Sequence, residues 1–371
     1  MKKKLLFLIN TLTGGGAEKV LCDLVNNLDK EKYDITVQTI VDIGIHKESL
    51  GSHIKYKTIN KFKNGLLRKI FSYSINFIIP SKITYKLFIK GKYDYEIAFL
   101  EGVPTKLLSV SEAPVKYAWV HIDLFEFYNG HEKVFPTLQK NIDCYKKYNN
   151  IICVADSTKS GFIKKFGFFD NLIVKYNIVD DVSVKEKSAE AVTEIVIPQK
   201  LKLVTVGRLT YQKGYDRLLE VHKRLIAEGF SYELWIIGEG TDLEKLECYI
   251  NKYNLSETVK LLGFQKNPYK FIKNADLFVC SSRAEGFSLV VAEALILSTP
   301  VISTNCAGPD ELLGNGEYGL LAENSVEGLY DGLKELLSNN DRIIHYKKQA
   351  ELRSKDFRLE KSIAEIEKLF F

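Results

Sequence analysis

Short apolar runs alternate with helix-length amphipathic segments along most of the chain. The first run, Lys4 to Asn10, is followed by three glycines, by a segment with apolar residues at helical spacing and by a second run, Ile35 to Val41. This order predicts a βαβ unit, and therefore a parallel sheet covered by helices. Three further runs continue the alternation in the first half of the chain: Glu96 to Leu100, Lys116 to Val120 and Ile151 to Val154.

A polar, charged stretch separates this region from a second one of similar size. Between about Asp181 and Lys200 the apolar runs stop, and they restart at Leu201. We therefore predict an α/β protein with two doubly wound, Rossmann-like domains at 1–180 and 200–353, joined by a linker at 181–199. We expect the two sheets to face each other across a cleft, since such folds bind ligands beyond the carboxyl ends of their strands. The remaining residues, 354–371, predict a C-terminal helix that packs back on the first domain.

Composition agrees with a globular protein of this size. The chain has 371 residues, of which 46% are apolar and 27% charged. Its six cysteines form no CxxC pair, and the basic, apolar start passes directly into polar residues, so we expect no export and a cytoplasmic location. No apolar run reaches the roughly 20 residues that a membrane span needs.

The charge distribution is uneven. Residues 55–92 contain ten lysine and arginine side chains and no aspartate or glutamate. Apolar residues at helical spacing lie among Lys61, Lys63, Arg68 and Lys69, a pattern typical of an amphipathic helix at a membrane surface. An ordinary solvated helix face is the alternative. Nucleic acid is not an expected partner, because the chain contains no recognised binding module.

The first glycine loop, Gly14 to Gly16, partly matches a dinucleotide-binding fingerprint. Lys19 stands where that fingerprint requires Gly or Ala, and Asp42 lies farther away than the roughly 20 residues expected, so NAD or FAD binding is disfavoured. The free amides and the dipole at a helix N-terminus still suit a phosphate or the close approach of a ligand at Gly15 and Gly16. A loop made of glycine only for packing is the alternative.

Two cations follow the first strand of the second half. Arg208, after Gly207, and Lys213 lie on the loop that leaves the carboxyl end of that strand. Such a pair would neutralise a diphosphate, whose charge grows as its bond to carbon breaks. Solvated surface charge is the alternative for the pair taken alone.

Two carboxylates flank the start of a later helix. Glu285 lies in a glycine turn, and Glu293 lies eight residues further on, about two helical turns away. The helix amides between them are unsatisfied within the helix and suit phosphate or hydroxyl oxygens. A lone buried carboxylate is unfavourable, which argues for a function of Glu293. The alternative is a first glutamate favoured by the helix dipole and an exposed second one.

These segments resemble glycosyltransferase family 4, the retaining GT-B enzymes of group 1 that include bacterial capsule and lipopolysaccharide enzymes. The resemblance runs in order over nearly the whole chain, and the Glu285 to Glu293 spacing is its most specific motif. The segments that carry the resemblance are GGGAEKVLCDL (14–24), GRLTYQKG (207–214), IIGEG (236–240), LLGF (261–264), ADLFVCSSRAEGFSLVVAEAL (275–295), PVIST (300–304), GPDELL (308–313) and GLL (319–321).

The resemblance implies a hexosyltransferase-type enzyme that takes a sugar from a nucleotide sugar, for which we expect a UDP-linked donor, and needs neither cofactor nor metal. No DxD pair in a suitable place and no zinc-type cluster is found in the sequence. Retention then implies front-face attack assisted by the leaving-group oxygen. The GPDELL variant and the basic first half favour a lipid-linked glycan acceptor in bacterial surface polysaccharide synthesis, on the inner face of the cell membrane.

The resemblance also implies residue roles. Arg208 and Lys213 would bind the donor diphosphate, Glu285 the donor sugar and Glu293 the ribose. His121, after the run that ends at Val120, would lie near the transferred sugar and complete the catalytic set with Glu285, Arg208 and Lys213. The other donor-binding residues implied are Gly15, Gly16, Gly207, Phe264 near the base, Gly286, Phe287, Ser288 and Leu289.

Alternatives remain open for His121 and for the activity. A lone histidine is commonly a structural residue, and Asp123 and Glu126 beside it could orient an acceptor hydroxyl or form a solvated loop. A GT-B sugar-nucleotide epimerase would share the architecture but would need acid and base carboxylates at the sugar ring. A catalytically silent partner subunit would have no reason to keep all four of Arg208, Lys213, Glu285 and Glu293.

Overall fold

The computed structural model describes residues 1–125 and 134–370. Contacts within the chain divide it into two compact units, one formed by Met1–Ile178 with Glu360–Phe371 and the other by Val179–Leu359. Each unit has its own parallel sheet and its own apolar core. The predicted α/β class with two doubly wound units is therefore confirmed.

The first unit contains a seven-stranded sheet. Its strands are β1 (Lys3–Ile9), β2 (Tyr33–Val41), β3 (Lys55–Asn60), β4 (Tyr95–Ala98), β5 (Val115–Val120), β6 (Asn150–Cys153) and β7 (Leu172–Val174). The spatial order is β3-β2-β1-β4-β5-β6-β7, and every neighbouring pair is parallel. Residues 5–9 of β1 are fully buried, which explains their continuous apolar run, since helices cover both faces of such a sheet.

Within the described residues, six helices lie between the strands of this sheet. The first of these helices buries its apolar face, and the second is capped by Asn64, whose side chain accepts hydrogen bonds from the amides of Leu66 and Leu67. A π-helical turn, Ser74–Ile78, connects the second and third helices. The helices are α1 (Gly16–Asn27), α2 (Gly65–Tyr73), α3 (Ser81–Phe88), α4 (Val103–Leu108), α5 (Leu138–Tyr145) and α6 (Asp156–Phe166).

The second unit contains a six-stranded parallel sheet. Its strands are β8 (Leu201–Val206), β9 (Tyr232–Ile237), β10 (Val259–Leu261), β11 (Leu277–Cys280), β12 (Val301–Thr304) and β13 (Leu320–Ala322), in the order β10-β9-β8-β11-β12-β13. The direction of strand succession reverses between β8 and β11, as it does between β1 and β4. Ligands of doubly wound sheets bind beyond the carboxyl ends of the strands at this reversal.

Eight helices belong to the second unit, and those at Tyr215–Ala227 and Val326–Ser338 pack against each other. They are α7 (Asp181–Ser188), α8 (Tyr215–Ala227), α9 (Leu243–Lys252), α10 (Tyr269–Asn274), α11 (Leu289–Ile296), α12 (Ala307–Leu312), α13 (Val326–Ser338) and α14 (Asn340–Ser354). In the described part of the chain, no helix combines the length and the apolar character needed to cross a bilayer.

The segment predicted as a linker, 181–199, begins with a helix. Asp180 caps α7 by accepting a hydrogen bond from the Ser183 amide, and α7 packs against α10 as part of the second unit. Val184 is its one fully apolar buried side chain, so the helix shows almost no apolar periodicity. The chain enters the second unit at Val179, before the predicted boundary.

The last helix, α15 (Leu359–Glu367), leads the chain back to the first unit. Beyond it, Phe370 is fully buried and its ring lies against those of Phe7, Tyr33 and Tyr95, with centroid distances of 6.4, 5.7 and 5.4 Å. The backbone oxygen of Phe370 accepts a 2.6 Å hydrogen bond from Lys3 Nζ. A residue from beyond the second unit thus completes the core of the first.

We predict that Phe370→Ala destabilises the first unit by about 3–5 kcal/mol, because it removes a fully buried ring from a packed aromatic cluster. The control is Phe168→Ala, since Phe168 belongs to the same unit but is 73% exposed; its effect should stay within about 0.5 kcal/mol. Urea unfolding followed by near-ultraviolet circular dichroism measures both. Equal effects of the two substitutions would contradict the assigned packing.

Candidate functional site

The loop after β8 is held by backbone contacts to the loop after β9. Gly207 N donates to Ile237 O at 3.0 Å, and Leu209 N donates to Glu239 O at 2.8 Å. Gly238 has a φ of +143°, and a Cβ there would lie 1.9 Å from Gly207 O. Only glycine permits this approach, which fixes the backbone around Arg208.

The same loop is also joined to the loop after β11. Gly214 adopts a left-handed conformation with a φ of +66°, and a Cβ there would lie 2.1 Å from Ser281 O. Ser281 Oγ donates to Lys213 O at 2.9 Å, and Arg217 donates to Ser281 O at 2.8 Å. These contacts bring Lys213 beside Glu285, although the two residues are 72 positions apart in the chain.

Lys213 and Glu285 form an ion pair at this edge of the sheet. Lys213 Nζ lies 2.5 Å from Glu285 Oε1, and the two side chains are only 18% and 9% exposed. Burial is the largest single influence and lowers the pKa of Lys213, but the charge and hydrogen bond of Glu285, together with Cys280, raise that pKa above its usual value. Lys213 is therefore a cation at neutral pH.

Two further residues complete the surroundings of this pair. Ser282 Oγ donates to the same Glu285 oxygen at 2.7 Å and so orients the carboxylate. Arg208 is exposed, and its charge opposes the rise in the pKa of Lys213, which places two cations in one electrostatic environment. The sequence analysis did not single out Ser282; its position three residues before Glu285 was the available signal.

The N-terminus of α11 lies at the same edge. The helix follows Gly286, Phe287 and Ser288, and Ser288 O accepts hydrogen bonds from the amides of Val291 and Ala292. Within the described residues, the buried Ser288 Oγ has no hydrogen-bond partner. The amides of the first turn, starting at Leu289, point out of the helix end together with its positive dipole, an arrangement that binds anions.

Glu293 and Phe264 also belong to the second unit. Glu293 is 3% exposed and accepts a 3.3 Å hydrogen bond from Tyr269 Oη. Phe264 follows β10 and is 51% exposed. The candidate residues of this unit thus lie in the loops that follow β8, β10 and β11 or on α11. They are Gly207, Arg208, Lys213, Phe264, Glu285, Gly286, Phe287, Ser288, Leu289 and Glu293.

The other predicted residues lie in the first unit. Gly15 precedes α1, and a Cβ on it would lie 2.1 Å from the Glu18 carboxylate. Thr13 Oγ1 donates a 3.2 Å hydrogen bond to that carboxylate. Gly16 begins α1. Glu126 lies outside the described residues.

His121 follows β5 and is buried. Its ring lies 4.9 Å from that of Phe99, and in the part of the chain that the structure describes neither ring nitrogen has a hydrogen-bond partner. Burial lowers the pKa of His121 to about 3. The imidazole is therefore neutral at physiological pH and offers one donor and one acceptor, which suits a hydroxyl group.

The backbone of His121 is held by Glu101, a residue that the sequence analysis missed. Glu101 is 1% exposed and lies just beyond β4. Its Oε1 accepts hydrogen bonds from the amides of His121 and of Ile122, the latter at 3.1 Å. A carboxylate directly after an apolar strand was the signal in the sequence.

The basic segment presents apolar side chains to solvent. Lys61, Lys63 and Lys69 are exposed and Arg68 is partly buried. The exposed apolar side chains continue from α2 through the π-helical turn to α3, and we name them, together with these four cations, the α2–α3 surface. They are Phe62, Leu66, Leu67, Ile70, Tyr73, Phe77, Ile78, Ile83 and Leu87.

The second unit therefore has the features of a nucleotide-binding α/β fold: a parallel sheet, a helix N-terminus and cations where the strand order reverses. Residues 188–354 match the family model described as glycosyl transferases group 1. An uncharacterized glycosyltransferase of Methanocaldococcus jannaschii is 32% identical over 300 residues, which cover 70% of this chain and 72% of that protein. The chain belongs to the group 1 glycosyltransferases, as the sequence analysis predicted.

Two other proteins add detail. The N-acetylgalactosamine-N,N'-diacetylbacillosaminyl-diphospho-undecaprenol 4-alpha-N-acetylgalactosaminyltransferase of Campylobacter jejuni is 35% identical over 186 residues, 50% of this chain and 49% of that enzyme. The crystal structure of Anabaena HepE with UDP-glucose superposes with a TM-score of 0.79 at 18% identity, over 99% of both chains. The fold is GT-B, with two Rossmann-like units, as expected.

The burial of His121 leads to a prediction about stability. Folding lowers the pKa of His121, so below about pH 6.5 the unfolded chain takes up a proton that the folded protein does not. The free energy of unfolding therefore falls as the pH decreases from about 6.5 toward 3. Wild type should lose about 2 kcal/mol more than His121→Gln between about pH 7 and pH 5. Urea unfolding at both values measures this difference, and an equal loss in the two proteins would contradict it.

Proposed function

We propose that the protein is a retaining, metal-independent glycosyltransferase of family 4 that moves a sugar from a UDP-sugar to a lipid-linked glycan. The observation that carries the proposal is the arrangement of Arg208, Lys213 and Glu285 beside the N-terminus of α11. The reaction would take place at the inner face of the cell membrane during assembly of a bacterial surface polysaccharide.

The donor diphosphate is assigned to the cations and the helix end. Lys213 is charged and nearly buried, Arg208 is exposed beside it, and the α11 amides add positive potential. Support for a UDP-linked donor comes from HepE, which was crystallised with UDP-glucose. In this proposal Glu285 contacts the sugar hydroxyls, Glu293 the ribose and Phe264 the base.

The chemistry follows from charge balance. The bond from the sugar's anomeric carbon to the diphosphate oxygen breaks while a bond to the acceptor oxygen forms on the same face. The acceptor proton passes to the departing phosphate oxygen. Negative charge grows on that oxygen, and Arg208, Lys213 and the helix dipole stabilise it where a metal ion would otherwise do so. His121, being neutral, donates or accepts hydrogen bonds at a sugar hydroxyl and does not act as a cation.

The acceptor is proposed to be lipid-linked because of the α2–α3 surface. Exposed apolar side chains surrounded by lysines suit a bilayer containing anionic lipids. The Campylobacter jejuni relative is itself named for a diphospho-undecaprenol substrate. A peripheral position at the membrane would bring the enzyme to such an acceptor.

The donor site is tested by isothermal titration calorimetry with UDP, GDP, ADP, TDP and CMP in the presence of EDTA. We expect UDP to bind wild type selectively, and Lys213→Ala to weaken binding at least about tenfold, because one buried phosphate contact is lost. The same substitution and Glu293→Ala should abolish transfer without unfolding the protein.

The matched control is Lys202→Ala. Lys202 forms an ion pair with Asp276 at 2.7 Å in the same unit and is 14% exposed, but it lies at the opposite end of β8 from the site. The Lys202→Ala substitution should leave UDP binding unchanged. Failure of every nucleotide to bind wild type would favour the silent-subunit alternative, and tight UDP binding by Lys213→Ala would reject the assigned diphosphate site.

Membrane binding is tested by replacing Lys61, Lys63, Arg68 and Lys69 with Gln. Because each basic residue near an anionic leaflet contributes about 1 kcal/mol, we expect sedimentation with phosphatidylglycerol vesicles at low salt to weaken by at least about tenfold. The control replaces four exposed lysines of the second unit: Lys245, Lys252, Lys347 and Lys348. Equal binding of the two variants would remove the membrane part of the proposal.

A further inference from the structure

We propose that Glu101 is a positioning residue that holds the His121 imidazole in place for a carbohydrate hydroxyl. This inference rests on the proposed glycosyl transfer. Two observations support it. The buried Glu101 carboxylate accepts hydrogen bonds from the amides of His121 and Ile122, just after β5, and the two nitrogens of the His121 ring have no hydrogen-bond partner within the described residues.

The strand register explains why a side chain is needed at this point. Strands β4 and β5 pair from Tyr95 with Val115 up to Ala98 with Ala118, where the pairing of the two strands ends. Glu101 and His121 are each three residues further along, so they keep the same offset. In place of a backbone carbonyl, Glu101 Oε1 accepts the amide hydrogen of His121 and extends the attachment between the two strands.

The imidazole is thereby fixed from two sides. Glu101 holds the backbone of His121 and Ile122, and the Phe99 ring lies against the imidazole with a centroid distance of 4.9 Å. Because χ1 and χ2 are the only freedoms left to His121, fixing its backbone and packing one ring face determine where its nitrogens point.

The unpartnered nitrogens indicate what the imidazole binds. A buried polar atom without a hydrogen bond costs about 1–3 kcal/mol, a cost that disappears when a ligand supplies the partner. His121 is 8% exposed and neutral, so it favours a neutral group that both donates and accepts, as a sugar hydroxyl does. An anion would gain little from it.

Glu101→Gln should keep the hydrogen bonds to the amides of His121 and Ile122, whereas Glu101→Ala should lose them. The amide oxygen of Gln can accept the same two backbone hydrogens, because neither interaction depends on a negative charge. A merely folding-related role would respond to Glu101→Ala without any dependence on His121. The two roles are therefore separable by a double-mutant cycle.

The activity test measures UDP release from UDP-glucose, UDP-galactose, UDP-N-acetylglucosamine and UDP-N-acetylgalactosamine in the presence of bacterial membranes that carry lipid-linked glycans. We expect Glu101→Ala to lower kcat at least about tenfold, with KM for the donor and UDP affinity unchanged. Glu101→Gln should restore most of the rate, and Glu101→Ala combined with His121→Ala should be no slower than His121→Ala alone.

A second readout is independent of activity. Histidine-selective NMR, with the His121 signals assigned from their loss in His121→Gln, should show a ring that does not titrate between about pH 5 and pH 8 in wild type and Glu101→Gln. In Glu101→Ala the released ring should titrate near its ordinary pKa of about 6.5. If Glu101→Ala does not fold, Glu101→Asp, whose shorter side chain cannot reach both amides, replaces it.

Additive losses in the double mutant would overturn the inference, and so would a His121 ring that titrates identically in wild type and Glu101→Ala. A Glu101→Gln variant as slow as Glu101→Ala would also overturn it, because a charge would then be required. Absence of UDP binding and of donor turnover in wild type would instead reject the proposed function, and the NMR comparison would still decide whether Glu101 positions His121.

Discussion

The candidate donor site depends on the close approach of two loops at Gly214 and Ser281. A side chain on Gly214 would collide with the Ser281 carbonyl. Hydrogen bonds from Ser281 Oγ to Lys213 O and from Arg217 to Ser281 O hold the two loops together. Removing a lysine and a glutamate from water is unfavourable unless they meet in good geometry with further hydrogen bonds. The loop contact supplies that geometry for Lys213 and Glu285, and Ser282 supplies the additional bond.

The sheet topology determines which residues can join this site. Parallel strands direct every following loop to the same edge, and the reversal between β8 and β11 leaves space there for a ligand. Residues from distant parts of the sequence, such as Arg208 and Ser288, therefore belong to one edge of one unit. The first unit repeats the architecture, but its equivalent edge carries a neutral imidazole and glycines. The two units thus present different groups at equivalent edges: cations in the second and a neutral imidazole in the first.

Most of the sheet architecture and the charged site could be predicted from the sequence because both leave periodic or locally spaced signals. Buried parallel strands are continuous apolar runs, and Glu285 and Glu293 are separated by two helical turns on one short segment. Helix α7 could not be predicted, because Val184 is its one buried apolar side chain and no apolar periodicity marks the helix. Glu101 and Ser282 were missed for a different reason. Their positions in the chain were available signals, but their hydrogen-bond partners are fixed by strand register or by the orientation of a carboxylate, which the sequence pattern alone does not identify.

The return of the chain to the first unit has a consequence for biosynthesis. The second unit is continuous in sequence, from Val179 to Leu359, and has all of its core residues once that stretch has left the ribosome. The first unit still lacks a core residue at that stage, because Phe370 packs against Phe7, Tyr33 and Tyr95. Multidomain chains generally fold from the N-terminus during synthesis. Here the N-terminal unit cannot complete its packing until the unit that follows it has been translated, and Phe7, Tyr33 and Tyr95 lack the ring that covers them until then.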